Sequence, residues 1–186
     1  MNKQRRTSKG KSVRPTFFVF CEGETEEAYI AFLRATYKLP IEIDTKISGN
    51  RITAKYIANY KKTKDLHPKD KTYLVYDLDV TGILSNLQKI SDTVLIASNP
   101  CFELWYLLHY QNQQAELSSK ECENNLSVYM RNYKKGCIDD KLKLQLMVKK
   151  GEAIGRAKKL KPYDNPSTDV FRLIEDLEKV KIETIS

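Results

Sequence analysis

The sequence predicts an α/β fold, a mostly parallel four-stranded sheet flanked by helices, followed by a helical C-terminal part. Three observations predict it. Short apolar runs of strand length recur at TFFVF (Thr16 to Phe20), TYLVY (Thr72 to Tyr76) and TVLIA (Thr93 to Ala97), each rich in β-branched and aromatic residues. Between them lie stretches with helical spacing, and parallel strands need crossovers of that kind. Beyond Tyr110 the chain turns helical.

The elements follow in order. Thr16 to Phe20 reads as a buried strand, and Glu26, Tyr29, Ile30, Leu33 and Tyr37 then fall on one face of a helix. In IEIDTKI, Ile41, Ile43 and Ile47 alternate with Glu42, Asp44 and Lys46, the pattern of a strand with one wet face at or near a sheet edge. Ser48-Gly49-Asn50 supplies turn and capping chemistry for a helix carrying Ile52, Tyr56, Ile57 and Tyr60. A lysine-rich surface loop leads to the TYLVY strand, which ends in Asp77-Leu78-Asp79. Ile83, Leu84, Leu87 and Ile90 mark the next helix, and TVLIA the fourth strand.

Ser98-Asn99-Pro100 places a capping Asn and a first-turn Pro ahead of CFELWYLLHY, a segment apolar nearly all round and therefore buried. Ser118 and Glu121 form a capping-box pair. Asp139 to Val148 fits a strand by its alternating Leu142, Leu144, Leu146 and Val148, but a helix by propensity. Gly151 to Leu160 and Thr168 to Val180 read as closing helices, the second entered through Asn165-Pro166 with Ser167 or Thr168 as cap. No internal repeat is present. The organisation that results is a disordered basic arm over residues 1–14, an α/β core over 15–110, and a helical extension over 111–186 packed on the core as one globular unit.

Composition limits the function. At 41% hydrophobic and 30% charged residues the bulk is globular rather than disordered. A net charge of +8 favours an anionic partner, nucleic acid ahead of a membrane surface. Cys21, Cys101, Cys122 and Cys137 include no CxxC pair and no histidine at metal-ligand spacing, so they read as reduced thiols of a cytoplasmic protein. No apolar run reaches the length of a membrane span, and no apolar core follows the basic N-terminus as a secretory signal requires. His67 and His109 alone do not support a zinc site or a Ser-His-Asp triad.

The chemistry points to carboxylates. Glu22 stands at the carboxyl end of the first strand and Asp77 and Asp79 at the end of the third, the side on which open α/β sheets bind ligands. If these strands are neighbours, the three converge on one crevice, where a hard cation such as Mg²⁺ or Mn²⁺ relieves their repulsion and phosphodiester cleavage is the natural reaction. Glu22 is also a candidate general base. Glu24, Glu26 and Glu27 read as helix-start and surface charges. Glu103, inside the apolar segment, is a secondary catalytic candidate, or else a partner for a nearby Lys or Arg. Lys134 is a second such candidate; Arg156 and Lys158 are candidate phosphate contacts. In the arm, Arg5, Arg6, Lys9, Lys11 and Arg14 can grip phosphates together with Lys3. Competing readings are a non-catalytic nucleic-acid-binding or signalling subunit, and an oligomer interface on the helix around Trp105.

CEGETEE, YDLDV, SNPCFELWYLLHY and the late NPST together resemble the RloB-like proteins, over nearly the whole chain from about Arg14 onward. The resemblance implies a Toprim-like domain, the fold shared by topoisomerases, primases and nucleases of the overcoming-lysogenisation-defect type. It places the family's glutamate on Glu22, its DxD on Asp77 and Asp79, and the glutamate of its FELW segment on Glu103. It implies an antiphage, abortive-infection nuclease acting on tRNA, other RNA or DNA. No GxxxxGK[ST] occurs, so any ATPase or sensor partner is a separate chain.

Overall fold

The structure, a computed structural model, describes residues 14–185. Its one sheet has five strands, β1 (Thr16–Cys21), β2 (Glu42–Ile47), β3 (Lys71–Asp77), β4 (Val94–Asn99) and β5 (Ser167–Thr168), in the order β2-β1-β3-β4-β5. The first four are mutually parallel and β5 runs antiparallel to β4. The helices are α1 (Glu24–Tyr37), α2 (Ala54–Lys61), α3 (Ile83–Gln88), α4 (Glu103–Leu107), α5 (Ser119–Tyr129), α6 (Asp140–Val148), α7 (Lys150–Ala157) and α8 (Val170–Ile185).

Both faces of the sheet are covered, which is why β1 is apolar along its whole length rather than alternating. Phe17, Val19, Cys21, Tyr73 and Val75 pack in one core with α1 and the C-terminal helices. Their neighbours Phe18, Phe20, Leu74 and Tyr76 pack in a second core with Ile57 of α2 and Leu87 of α3. The division follows from handedness: the chain steps from β1 outward to β2, returns past β1 to β3 and continues to β4. Right-handed crossovers then put α1 on one face and α2 and α3 on the other. β2 lies at the edge with only Ile43 deeply buried, as its wet-face alternation predicts.

Three local expectations are corrected and one open segment is resolved. The sheet has five strands rather than four, because Ser167–Thr168 pairs with Ser98 and Asn99 instead of capping the last helix. Two residues are too few for periodicity to reveal, and the pairing satisfies an edge of β4 that would otherwise be open. Asn99-Pro100 does not open a helix: α4 begins only at Glu103, and the Asn99 side chain donates to Tyr163 O at 2.9 Å. Ser48-Gly49-Asn50 does not cap α2; residues Gly49–Arg51 form a 3-10 turn, and the Thr53 hydroxyl accepts the Tyr56 N–H at 3.1 Å. The ambiguous Asp139 to Val148 segment is α6, because the Asp139 carboxylate accepts the Leu142 N–H at 2.7 Å and Leu142 and Leu146, one turn apart, are buried. Leu144 and Val148, which a strand would have put inside, are exposed.

The Ser118–Glu121 capping box forms as predicted, with Ser118 N–H donating to Glu121 at 2.7 Å. The helix around Trp105 is interior, Trp105 and Leu104 both 0% exposed, so it offers no face to a second copy.

Candidate functional site

The strand order reverses at the β1–β3 pair, since the chain leaves β1 toward β2 but leaves β3 toward β4. Such a reversal opens a crevice outside the carboxyl ends of the two strands. Glu22 and Asp77 flank it. The Glu22 N–H donates to Val75 O at 3.0 Å, extending the ladder one residue beyond β1, and the Asp77 N–H donates to Glu22 Oε2 at 2.9 Å. The register of β1 and β3 therefore sets the Glu22 carboxylate on the backbone of Asp77, with the two side chains within electrostatic range. Asp79, two residues past the end of β3, is exposed at the rim.

Two further carboxyls complete the cluster. Glu26, in the first turn of α1, is 4% exposed, and its Oε2 accepts the Gly23 N–H at 3.0 Å. It is a helix-start residue but not a surface charge, which corrects the sequence reading. Glu103, at the start of α4, is 2% exposed and accepts the Tyr133 hydroxyl at 2.8 Å. Its partner is thus a phenol rather than the Lys or Arg weighed from sequence.

The electrostatics reflect the crowding. Burial, followed by the charges of Glu26, Glu22, Glu103 and Asp79, pushes the Asp77 carboxyl up to about 9. Burial raises Glu26 to about 7, with hydrogen bonds from backbone N–H groups opposing and Glu103 and Glu22 adding to the rise. Glu22 is also raised by burial and by Asp79, while its hydrogen bond from Asp77 N–H pulls the other way. Asp77 Oδ1 is buried without a hydrogen-bond partner. Such a set either retains protons at neutral pH or takes up a cation.

Among the described residues, no group of three or more His, Cys, Asp or Glu side chains stands close enough to hold a metal ion by itself. Mg²⁺, however, is commonly bound by one or two carboxylates, its remaining positions going to water and substrate phosphate. Glu22 and the unpartnered Asp77 Oδ1 fit that kind of binding, with Asp79 within electrostatic range of both.

The other predicted residues distribute unevenly. Lys134 is exposed in the loop between α5 and α6, beside the Tyr133 that reaches Glu103. Its neighbour Lys135 is the lysine raised in part by the charge of Glu103, although its main partner is Glu123 at 2.7 Å. Arg156 donates to Leu108 O at 2.6 Å and pairs with Glu152 at 3.1 Å. Lys158 pairs with Glu175 at 2.6 Å and lies over the Phe171 ring. Both are thus engaged within the fold. Arg14 is exposed; Arg5, Arg6, Lys9 and Lys11 lie outside the described residues.

Tyr133 and Glu26 were missed as site residues. Tyr133 carries no local signal, being 30 residues from Glu103. The i, i+3, i+4 spacing of Glu26 with Tyr29 and Ile30 was visible and marks the buried face.

A family model described as RloB-like protein matches residues 17–177 of the chain. Neither the curated proteins nor the solved structures yield a match.

Proposed function

The chain belongs to the RloB-like family, and on that premise we propose that it is a metal-dependent nuclease of the Toprim type that cleaves phosphodiester bonds. One observation carries the reading: the buried, unpartnered Asp77 Oδ1 beside Glu22, at the point where the strand order reverses. Glu22 and Asp77 hold Mg²⁺ or Mn²⁺, with Asp79 at the rim. Bound there, such an ion would supply Lewis-acid polarisation of a phosphate oxygen and a lowered pKa for a bound water. The Asp77 N–H donates to Glu22 Oε2 and fixes the carboxylate, which leaves Oε1 to face the cation or to accept a proton. Glu26 and Glu103 add negative charge behind the pair and strengthen its demand for a cation. Tyr133 holds Glu103 in place.

The biological role proposed is that of an antiphage effector acting on tRNA, other RNA or DNA in the cytoplasm, working with a separate ATPase or sensor chain. Family membership and the basic composition support it. The test is cleavage of RNA and DNA by purified protein with Mg²⁺ or Mn²⁺ against EDTA. Glu22→Gln and Asp77→Asn are expected to lower the rate about 100-fold or more, the scale of losing one group that stabilises transition-state charge. Equal cleavage by these variants removes the assignment. Sequencing cellular RNA after inducing wild type or Glu22→Ala then identifies the substrate.

The absence of a three-ligand cluster among the described residues favours one other reading, a non-catalytic nucleic-acid-binding or signalling subunit. It predicts no cleavage, together with salt-sensitive binding that persists in EDTA and survives Asp77→Asn.

A further inference from the structure

The helical layer on the α2 and α3 face has a one-sided charge. Residues 49–62 contain Arg51, Lys55, Lys61 and Lys62, residues 80–91 contain Lys89, and neither stretch contains an acid. Lys61 is turned inward, donating to the Thr72 hydroxyl and lying 4.9 Å from the Phe18 ring centre. Arg51, Lys55, Lys62 and Lys89 make no ion pair among the described residues, in contrast to Lys149, Lys150, Arg156, Lys158 and Lys161 of the C-terminal region, each of which has an acidic partner.

Between α2 and α3 lies a cavity of about 440 Å³, within the range of sites that take small ligands. Ile52, Ile83 and Leu87 supply apolar lining, and Asn50, Asn86 and Lys89 the polar part. Aliphatic side chains can sandwich a planar base, and a carboxamide offers a donor and an acceptor together to a base edge. The turn bearing Asn50 is also tied to the end of β1 that precedes Glu22. The Ser48 N–H donates to Cys21 O at 2.9 Å, and the Tyr76 hydroxyl, 2.6 Å from Ser48 Oγ, donates to Gly49 O at 2.9 Å. These bonds hold the turn bearing Asn50 against the backbone of Cys21 and Glu22.

We propose that the cleft between α2 and α3 binds a single-stranded nucleic acid, with one unpaired base seated among Ile52, Ile83, Leu87, Asn50 and Asn86 and the flanking phosphates on Arg51, Lys55 and Lys89. As the path of a substrate strand this rests on the nuclease reading; as a binding site it does not. A duplex keeps its bases stacked and paired, so the cleft selects single strands. The acid-free helices and the hydrogen bonds from the Asn50 turn to Cys21, the residue before Glu22, favour this cleft over the other cavities.

The experiment is fluorescence anisotropy of the full chain in EDTA, where no metal-dependent cleavage occurs, with labelled single-stranded RNA, single-stranded DNA and duplexes of the same length. Lys89→Glu is expected to weaken single-strand binding about 5-fold at low salt and to reduce the salt slope by about one, as loss of one phosphate contact does. Asn86→Phe, at an exposed position, fills the cavity without changing charge and is expected to remove the preference for single strand over duplex. Lys120→Glu on α5 is the charge-matched control and is expected to bind like wild type; circular dichroism verifies that each variant is folded. Equal weakening by Lys89→Glu and Lys120→Glu, unchanged preference in Asn86→Phe, or no binding by wild type overturns the proposal. The RNA and DNA arms identify which polymer is preferred. If the variants behave as expected but wild type never cuts with Mg²⁺ or Mn²⁺, the nuclease reading alone falls; if wild type cuts and both cleft variants bind and cut normally, the cleft alone falls.

Discussion

Replacing Asp77 by Asn should stabilise the protein at neutral and alkaline pH while abolishing its response to divalent cations. A carboxyl raised from the ordinary 3.8 to about 9 retains its proton in the folded state and loses it in the unfolded state over that interval. The unfolded state then binds fewer protons, so stability falls as pH rises, by about 1.4 kcal/mol per pH unit for one group. The penalty is absent below the unfolded value, accumulates through neutrality and is complete above about 9. At pH 7 roughly three pH units of this linkage have accumulated, which sets a ceiling near 4 kcal/mol on what the substitution relieves. Glu26, raised to about 7, contributes in the same direction over the lower part of the interval. Urea denaturation of wild type and Asp77→Asn at pH 5, 7 and 8.5, with and without Mg²⁺ or Mn²⁺, measures the effect. The expected outcome is a variant more stable than wild type at pH 8.5, with the difference shrinking toward pH 5. Added divalent ion should stabilise wild type at pH 8.5 and leave the variant unchanged. A variant less stable than wild type at pH 8.5 would mean that Asp77 is a satisfied structural carboxylate, and the reasoning from crowded, desolvated charge would be wrong.

Two further outcomes test how the site is held together. Tyr133→Phe removes the hydroxyl that donates to the buried Glu103 carboxyl and is expected to cost about 2 kcal/mol in denaturant titrations, the range for leaving a buried acceptor unpaired; no change would show that Glu103 is satisfied in some other way. Gly136 has φ +71°, and an added Cβ would stand 3.0 Å from Glu24 Cβ, so Gly136→Ala should cost about 1–2 kcal/mol and loosen the loop that carries Tyr133 and packs on Thr25. Faster hydrogen exchange across residues 130–139 is its readout.

Much of the architecture is legible in the chain because it rests on local periodicity. The uniformly apolar Thr16 to Phe20 announces a strand buried on both faces, IEIDTKI announces an edge, and Ser118 with Glu121 announces a helix start. Each depends on residues within a few positions of one another. The acids at the ends of the first and third strands were legible in the same way, since an apolar run that stops at a carboxylate is a local pattern. β5 was not, because two residues carry no period and their strand character comes only from lying beside β4.

What the sequence by itself determined is therefore the four parallel strands and most of the helices, the alternation that makes the sheet mostly parallel, and the candidacy of Glu22, Asp77 and Glu103. Only the tertiary structure decided that β1 and β3 are neighbours, so that Glu22 receives the Asp77 N–H. It also decided that Glu26 is inside the cluster, that Tyr133 rather than a cation holds Glu103, and that Arg156 and Lys158 are engaged within the fold while Lys89 lines an open cleft. The physical reason is common to all of these. Desolvation and Coulomb interaction depend on distances between residues far apart in the chain, and a charge in a sequence acquires its role only when folding selects its neighbours.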